Sequence, residues 1–294
     1  MTPRLQGIVL MLAAIALFAL LDAAAKYAMH TVPAPVAVFF RYAIALGLCA
    51  ALILAKRDST LLVTRHPGVQ ALRGVTLMVS TFCNFTAIGI LQLAQTAAIS
   101  FTIPLWVCAL SIPLLGETVG PRRWAAILAG FCGVLIIMRP GTASFHPVML
   151  LSLAAAFSGA IYNIATRKVG GQDRVETSLL YAMLVGSLGA LLPLPSRWLM
   201  PEGMNWAVLG VMGVCGCAGH LLLIQAHRLT PASVLAPFVY TQIIWMIALG
   251  FLVFGDVPDV FTLLGGGLVI ASGIYVFARE RALGKSGLAP APED

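Results

Sequence analysis

Residues 106–117 read WVCALSIPLLGE, and residues 245–256 read WMIALGFLVFGD. Both stretches begin with Trp, carry Ala-Leu three residues later, and end an apolar run with Gly and an acidic residue. Each is followed by a further apolar segment that is rich in glycine. Chance similarity between apolar segments is the alternative to homology. The shared Trp and the Gly-acid ending favour homology, and we predict two repeats, residues 1–140 and 141–280.

The composition restricts the class of protein. Of 294 residues, 60% are hydrophobic and 10% are charged, whereas soluble domains carry about 25% charged residues. Several apolar segments have about the 20 residues that a helix needs to cross a bilayer core. Backbone groups in lipid find partners only in a helix or a closed barrel, and the alternating pattern of a barrel is absent. We therefore predict an all-α polytopic membrane protein with ten transmembrane helices, at roughly residues 7–29, 36–55, 71–90, 94–115, 123–138, 148–166, 177–195, 206–227, 232–254 and 260–278.

Basic residues indicate the direction of the chain. Of the 18 Lys and Arg residues, Lys26 and Arg41 fall within predicted spans, Arg139 and Arg197 fall in loops on one side, and the other 14 lie on the opposite side. Cytoplasmic loops carry an excess of Lys and Arg, so both termini are predicted to be cytoplasmic. This bias explains the net charge of +7 without nucleic acid as a partner. The tail, residues 281–294, is predicted to be disordered.

Each predicted repeat has five spans, which is an odd number. The second repeat therefore enters the membrane from the opposite face and lies inverted, in a 5+5 arrangement. Transporters with inverted repeats bind substrate near the bilayer midplane, between the repeats, so a central cavity is expected. An alternative for the N-terminus, a signal peptide cleaved near Ala23, would leave the first repeat incomplete.

Two prolines lie within predicted spans. Pro104 interrupts the fourth span and Pro237 interrupts the ninth. Proline lacks a backbone donor and bends a helix, so we predict kinks at both positions. The kinks serve either as hinges or as fixed bends.

Three features of the sequence resemble the drug/metabolite transporter (DMT) superfamily. They are the Gly116-Glu117 and Phe254-Gly255-Asp256 turns, the small-residue helices after them, and Phe39-Phe40-Arg41-Tyr42 in the second span. The closer similarity is to its ten-helix EamA branch, which includes bacterial amino-acid exporters of the YddG type. The resemblance covers nearly the whole chain and departs from the family pattern at Asp256, where Glu is common.

The resemblance implies a fold and a function. The fold would be a 5+5 inverted bundle in the bacterial inner membrane, with a central cavity lined by helices one, three, four, six, eight and nine. The function would be secondary transport by alternating access, with export of amino acids, uncharged and aromatic ones included, as the leading interpretation. Uptake or exchange of another metabolite, a nucleoside or a drug is the alternative.

Other function classes have less support. The ATP-binding motif GxxxxGK[ST] is absent, as are HExxH and GxSxG, so we predict that the protein is not an enzyme. A channel would be expected to carry rings of like charge or a carbonyl filter, and neither is recognisable. The six cysteines form no CxxC pair, and we predict neither a metal nor a cofactor. The predicted partners are a small-molecule substrate, the lipid bilayer and, for coupling, a proton.

Charged residues within spans are costly and are usually functional or paired. Asp22 and Lys26 lie four residues apart in the first span, so they share a helix face and can pair. With Arg41 they would form a salt-bridge cluster at the outer helix ends, or Lys26 and Arg41 would extend to the membrane interface. The functional alternative is gating or ion coupling by Asp22, Lys26 and Arg41, with Asp22 as the proton-coupling carboxylate.

Polar and aromatic residues within spans are the candidates for substrate binding. Asn84 aligns with His220 between the repeats, and both need hydrogen-bond partners at midplane depth. They either bond to neighbouring helices or line a wet cavity, and His220 can also titrate near neutral pH. Aromatic side chains suit an organic substrate, with packing or an interfacial belt as the alternative. The predicted substrate-binding residues are Asn84, Trp106, Tyr162, Asn163, His220, Tyr240, Gln242 and Trp245.

Overall fold

The computed structural model describes residues 2–115, 120–169, 173–230 and 232–286. Within these residues the chain forms twelve α-helices and two short 3-10 helices, Ser59–Leu62 and Pro195–Arg197. The predicted all-α class is confirmed. The α-helices are α1 (Pro3–Ala28), α2 (Ala34–Lys56), α3 (Pro67–Ile88), α4 (Leu93–Ser100), α5 (Ile103–Leu115), α6 (Pro121–Met138), α7 (Met149–Val169), α8 (Val175–Ala190), α9 (Met204–Leu229), α10 (Ala232–Val239), α11 (Gln242–Phe254) and α12 (Val260–Ser286).

The twelve helices make ten crossings, because α4 with α5 and α10 with α11 each form one broken crossing. Among the described residues, nine stretches are long and apolar enough to span a bilayer, and α8 is a shorter apolar helix. The helix α12 continues to Ser286, so it includes residues 281–286 of the predicted tail. The rest of that tail lies outside the described residues.

Proline begins four of the helices. Pro3, Pro35, Pro67 and Pro121 lie in the first turns of α1, α2, α3 and α6. The fixed φ of proline suits a first turn, where its missing N–H would have no partner within the helix. At α1 the Thr2 side chain adds an N-terminal cap.

Both broken crossings contain the prolines at which kinks are predicted. In the fourth crossing, Pro104 falls in the first turn of α5, directly after the break. In the ninth, Pro237 lies inside α10, and the break follows at residues 240–241. There Thr241 N donates to Phe238 O at 3.0 Å, a tighter turn than that of an α-helix.

The helices alternate in direction and give the bundle two faces. We call the face with the start of α1 and the end of α12 the terminal face, and the opposite one the distal face. At the terminal face, Lys56 Nζ lies 2.7 Å from Glu176 Oε1. At the distal face, Thr31 Oγ1 donates to Asn205 Oδ1 at 3.1 Å.

Four helix pairs form the framework of the bundle. α1 packs along α9, α3 along α7, α2 along α8 and α6 along α12. Each pair joins one predicted repeat to the other. Between α6 and α12 the backbones approach so closely that a Cβ on Gly133 would lie 2.7 Å from Gly265 O. Small residues permit such contacts between helices in membranes.

The buried apolar residues form two main clusters. One lies among α1, α2, α3, α8 and α9 and includes Tyr42 and Phe85. The other joins α4, α5 and α6 to α12 and includes Leu105 and Ile137.

The two faces differ in how the broken crossings meet. Toward the distal face, α4 packs against α11. Toward the terminal face, α5 and the described residues of α10 form no comparable interface. Within the described residues, the fourth and ninth crossings therefore pack against each other at the distal face.

Candidate substrate-binding site

A cavity of about 260 Å³ lies where α1, α2, α3, α4, α7, α9 and α11 converge. It borders both helix breaks, since Ser100 and Ile103 flank one and Gln242 follows the other. Broken helices at membrane depth are tolerated where they line a cavity or are buried in protein. The polar lining consists of Asp22, Arg41, Ser80, Thr81, Asn84, Thr96, Ser100, His220 and Gln242.

Asn84 and Asp22 form a hydrogen-bonded pair on the cavity wall. Asn84 Nδ2 donates to Asp22 Oδ1 at 3.1 Å, which links α3 to α1. One turn earlier on α3, Ser80 Oγ donates to Ala155 O at 2.8 Å, which links α3 to α7. The polar side of α3 is therefore held in place from both neighbours and presents the Asn84 amide to the cavity.

His220 reaches the same cavity from α9. It is 9% exposed, and its ring packs edge-on against Phe18 with centroids 5.1 Å apart. Asn84 and His220, which align between the predicted repeats, thus line one cavity. Phe18 is a lining residue that the sequence analysis missed, because an apolar residue in an apolar span carries no distinguishing signal.

Arg41 brings a guanidinium group to the cavity wall. It is 5% exposed and stacks on Tyr42, with Cζ 4.3 Å from the ring centroid. Its Nε and Nη1 have no hydrogen-bond partner. Although Asp22 lines the same cavity, the ion pairs of the described residues do not include Arg41. Within the described residues these two donors are unsatisfied, and buried donors without an acceptor are rare, so this guanidinium is an unusual feature of the cavity.

Lys26 connects three crossings at the distal face. Its Nζ lies 2.5 Å from Asp256 Oδ2 and donates to Leu91 O at 3.0 Å. It also lies 4.9 Å from the centroid of the Phe254 ring. The predicted pairing of Asp22 with Lys26 along α1 is wrong. Pairs at this spacing contribute only about 0.2–0.5 kcal/mol, and both residues have partners on other helices.

The turn after α11 directs Asp256 toward Lys26. Gly255 ends α11 with φ of 69°, a left-handed conformation that favours glycine. Asp256 N then donates to Gly250 O at 2.9 Å, which fixes the start of the loop. The matching turn of the first repeat, Gly116-Glu117, lies outside the described residues.

A second polar network, which the sequence analysis missed, lies toward the terminal face. Arg73 of α3 is 5% exposed, and its Nη1 donates to Gln70 Oε1 at 2.5 Å. Its Nε donates to Thr166 Oγ1 at 2.9 Å, and its Nη2 donates to Tyr162 Oη at 3.4 Å. Tyr162 therefore belongs to this network. Gln70 extends it by donating to Asp173 Oδ2 at 2.8 Å.

Asp173 accepts hydrogen bonds at the end of this network. Besides Gln70, Thr64 Oγ1 donates to Oδ2 and Arg65 N donates to Oδ1. Burial alone would raise the pKa of Asp173, but these hydrogen bonds outweigh it and hold the pKa below its ordinary value. The network therefore favours the ionised carboxylate.

Four other predicted residues do not line the cavity. Trp106 packs edge-on against one phenylalanine ring of α6 and one of α7, at 4.7 and 5.1 Å between centroids. Tyr240 packs edge-on against Phe101 at 5.2 Å. Trp245 is 45% exposed. Asn163 is exposed as well, and its amide donates to a carbonyl one turn earlier in α7.

Ten apolar crossings around a polar cavity define a polytopic membrane protein built to hold a small molecule. The sequence model of the EamA-like transporter family matches the chain twice, over residues 5–139 and 146–278. The chain belongs to this family, within the DMT superfamily, and it is a membrane-embedded transporter. The predicted family is confirmed.

Characterised relatives differ in what they carry. The chain is 30% identical to a riboflavin transporter of Vibrio cholerae, over 92% of this chain and 93% of the relative. It is 27% identical to an S-adenosylmethionine uptake transporter of Rickettsia felis, over 74% of each. It is also 27% identical to the pseudopaline exporter CntI of Pseudomonas aeruginosa, over 91% and 94%. A solved crystal structure with 20% identity superposes with a TM-score of 0.65 over 94% of this chain and 98% of that one, which supports the fold.

Proposed function

We propose that this transporter exports amino acids, uncharged and aromatic ones included, across the bacterial inner membrane. The cavity carries the proposal, because it offers a carboxylate, a guanidinium and amide groups within about 260 Å³. Sites for drug-sized ligands measure about 300–1,000 Å³. A molecule of amino-acid size with several polar groups suits this smaller space.

The proposed mechanism is alternating access. The excess of Lys and Arg on the terminal face supports a cytoplasmic location for that face. With this orientation the packed α4–α11 contact and the Lys26–Asp256 pair lie on the outside. We infer that the structure is an inward-facing state, in which substrate enters the cavity between α5 and α10.

Two inverted repeats, residues 1–140 and 141–280, are part of the proposal. The family model matches once within each repeat, and the α1–α9 contact has its equivalent in the α7–α3 contact. An outward-facing state would then pack α5 against α10 and separate α4 from α11. Proton coupling through Asp22 or His220 would drive the exchange between these states.

Uptake is the second candidate. The observation that favours it is the similarity to S-adenosylmethionine uptake transporters, of which four from Rickettsia match this chain. The name of that substrate identifies it as a methionine derivative, so both candidates share an amino-acid group. They differ in substrate size and in direction.

Transport in proteoliposomes tests the proposal. The purified protein is reconstituted, and the flux of labelled L-phenylalanine, L-methionine and S-adenosylmethionine is measured with and without a pH gradient. We expect saturable flux of an amino acid that responds to the gradient. Flux that does not saturate would indicate a channel, and saturable flux of S-adenosylmethionine alone would favour the second candidate.

Two asparagines provide a matched pair of variants. Asn84→Ala removes a cavity amide that bonds to Asp22, whereas Asn163→Ala removes an exposed amide of α7 outside the cavity. We expect Asn84→Ala to lower transport about tenfold or more and Asn163→Ala to leave it unchanged. Equal effects of the two substitutions would contradict the placement of the site.

A further inference from the structure

We propose that the substrate binds as a zwitterion, with its carboxylate on Arg41 and its ammonium group facing Asp22. This inference rests on the proposed function and assigns the two poles of its substrate. Two groups of opposite charge, Arg41 and Asp22, line the cavity. They do not form an ion pair among the described residues, and the two charges of a zwitterion match them.

The Arg41 guanidinium borders the cavity and keeps donors that no other described residue satisfies. It is 5% exposed, borders the cavity, and leaves Nε and Nη1 without hydrogen-bond partners. On one side Tyr42 stacks against it. On the α9 side stands Gly216, and even a Cβ built there would lie 3.6 Å from Nε. The backbone of α9 therefore lies close to the guanidinium at Gly216, and this position brings no side chain that would neutralise it.

The chemistry of this group selects a carboxylate. A guanidinium offers parallel N–H donors that match the two oxygens of a carboxylate, and such charge-assisted pairs are stronger than neutral hydrogen bonds. Phosphate would match the same donors. However, Asp22 lines the same small cavity, and a second anionic group on the ligand would be repelled by it. A single negative charge is therefore favoured.

Asp22 supplies the second pole. One of its oxygens accepts from Asn84 Nδ2 at 3.1 Å, which orients the carboxylate on the cavity wall. Lys26, four residues along α1, is engaged by Asp256 and Leu91 O and does not neutralise Asp22. An ammonium group of the substrate can therefore pair with the Asp22 carboxylate.

Pairs of amino acids and their carboxamides test the assignment of Arg41. The full-length protein is unfolded thermally in detergent with L-phenylalanine or L-phenylalaninamide, and with L-methionine or L-methioninamide. A ligand that binds the folded protein raises its Tm. We expect the acid to reach its half-maximal Tm shift at a concentration about tenfold or more below that of the amide, because the amide lacks the charge-assisted bond. Equal shifts by acid and amide, or no shift by either, would overturn the proposal.

Variants test whether the preference for the acid depends on Arg41 or on another arginine. Arg41→Gln should abolish the preference for the acid, and Arg41→Lys should retain part of it, since an ammonium keeps the charge without the planar fork. Arg57→Gln, at an exposed arginine beyond α2, should leave the preference intact. The wild-type comparison of acid with amide decides the question even if Arg41→Gln does not fold.

A third ligand addresses Asp22. The compound 3-phenylpropanoate keeps the carboxylate and lacks the ammonium group, so its Tm shift should depend on Arg41 but be no smaller in Asp22→Asn. A 3-phenylpropanoate shift that depends on Asp22 and survives Arg41→Gln would reverse the assignment and overturn it. The flux measurement gives an independent result. Flux without a preference for the acid would contradict the Arg41 assignment and leave the transport proposal intact. A preference for the acid without flux would support the Arg41 assignment and contradict the transport proposal.

Discussion

Two regions of the bundle each contain a buried cation and hold the helices in different ways. We call the α4–α11 contact with the Lys26–Asp256 pair the distal closure, and the hydrogen bonds of Arg73 and Gln70 that end at Asp173 the terminal network. Lys26 at the distal face uses one carboxylate and one carbonyl to tie α1, the α3–α4 loop and the end of α11. Arg73 toward the terminal face uses an amide and two hydroxyls and reaches Asp173 only through Gln70.

The consequence lies in what each arrangement encloses. The Lys26 contact accompanies the packed α4–α11 interface. The Arg73 network lies between α3, α7 and Asp173, just before α8. Among the described residues, the fourth and ninth crossings therefore pack against each other at the distal face, whereas the Arg73 network joins other helices.

Asp256→Asn should have the largest effect on the distal closure. It leaves the Lys26 ammonium buried without a carboxylate, and breaking a buried ion pair in this way costs about 3–5 kcal/mol. The free energy of unfolding, measured by denaturant titration in detergent, should fall by an amount of that order. The exchanged pair, Lys26→Asp with Asp256→Lys, is the control and should recover part of the loss.

The same variant should change access to the cavity. In a cysteine-free background, Ala97→Cys places a thiol on the cavity wall. A membrane-impermeant thiol reagent should reach it slowly from the distal side in the otherwise unchanged chain and about tenfold faster with Asp256→Asn. Equal rates would contradict the role of the pair in closing this face.

Arg73→Met should have a smaller effect at the terminal face. It leaves Gln70, Thr166 and Tyr162 without one hydrogen bond each. Each bond contributes about 0.5–1.5 kcal/mol net, but the substitution also removes the cost of burying the guanidinium, so we expect a net loss of about 1–3 kcal/mol. The thermal midpoint in detergent should fall less than for Asp256→Asn. A larger fall in the thermal midpoint than for Asp256→Asn would mean that the terminal network stabilises the fold more than the distal closure does.

The Asp173 carboxylate gives the terminal network a pH dependence. Its pKa in the folded protein lies below the ordinary value, so its ionisation stabilises the fold above pH about 4 and this contribution is lost as the pH falls through the lowered pKa. We expect the stability difference between wild type and Asp173→Asn, below about 1 kcal/mol because the site is partly exposed, to shrink between pH 5 and pH 3. A difference that is constant over this range would exclude the carboxylate as the cause.

Lys56→Ala should have the smallest effect. The Lys56 side chain is 53% exposed where it pairs with Glu176, and exposed ion pairs contribute about 0–1 kcal/mol. A stability change comparable to that of Asp256→Asn would show that burial does not distinguish the two pairs.

Hydropathy was sufficient to predict the fold, because lipid allows the backbone only helices or a closed barrel, and the alternating pattern of a barrel is absent. All ten crossings lie where the sequence places them, and the breaks occur at or just after Pro104 and Pro237. The breaks in the fourth and ninth crossings could be predicted because proline acts locally on a helix. The partners against which the two halves of each broken crossing pack could not be predicted, since they depend on contacts between distant segments.

The site was harder to predict because a membrane helix has apolar surroundings on both sides, lipid on one and packed helices on the other. The aligned residues Trp106 and Trp245 illustrate this, since the first packs against two phenylalanine rings and the second is 45% exposed. A tryptophan side chain is stable both against lipid and against other helices, so its presence does not show which side of the helix faces the cavity. Asn84 and His220 are more informative, because amide and imidazole groups are costly to expose to lipid. The Lys26–Asp256 pair joins residues that are too far apart in sequence for spacing to indicate it.

The contact between Gly133 and Gly265 has a mechanical consequence. A Cβ on either residue would approach the other's carbonyl oxygen to within 2.7 Å, so the two backbones meet without side chains between them. Side chains elsewhere can rotate to absorb a sliding motion, but two peptide backbones in contact cannot. In the proposed alternating-access cycle, the pair of α6 and α12 would therefore serve as a fixed contact about which the remaining helices rotate.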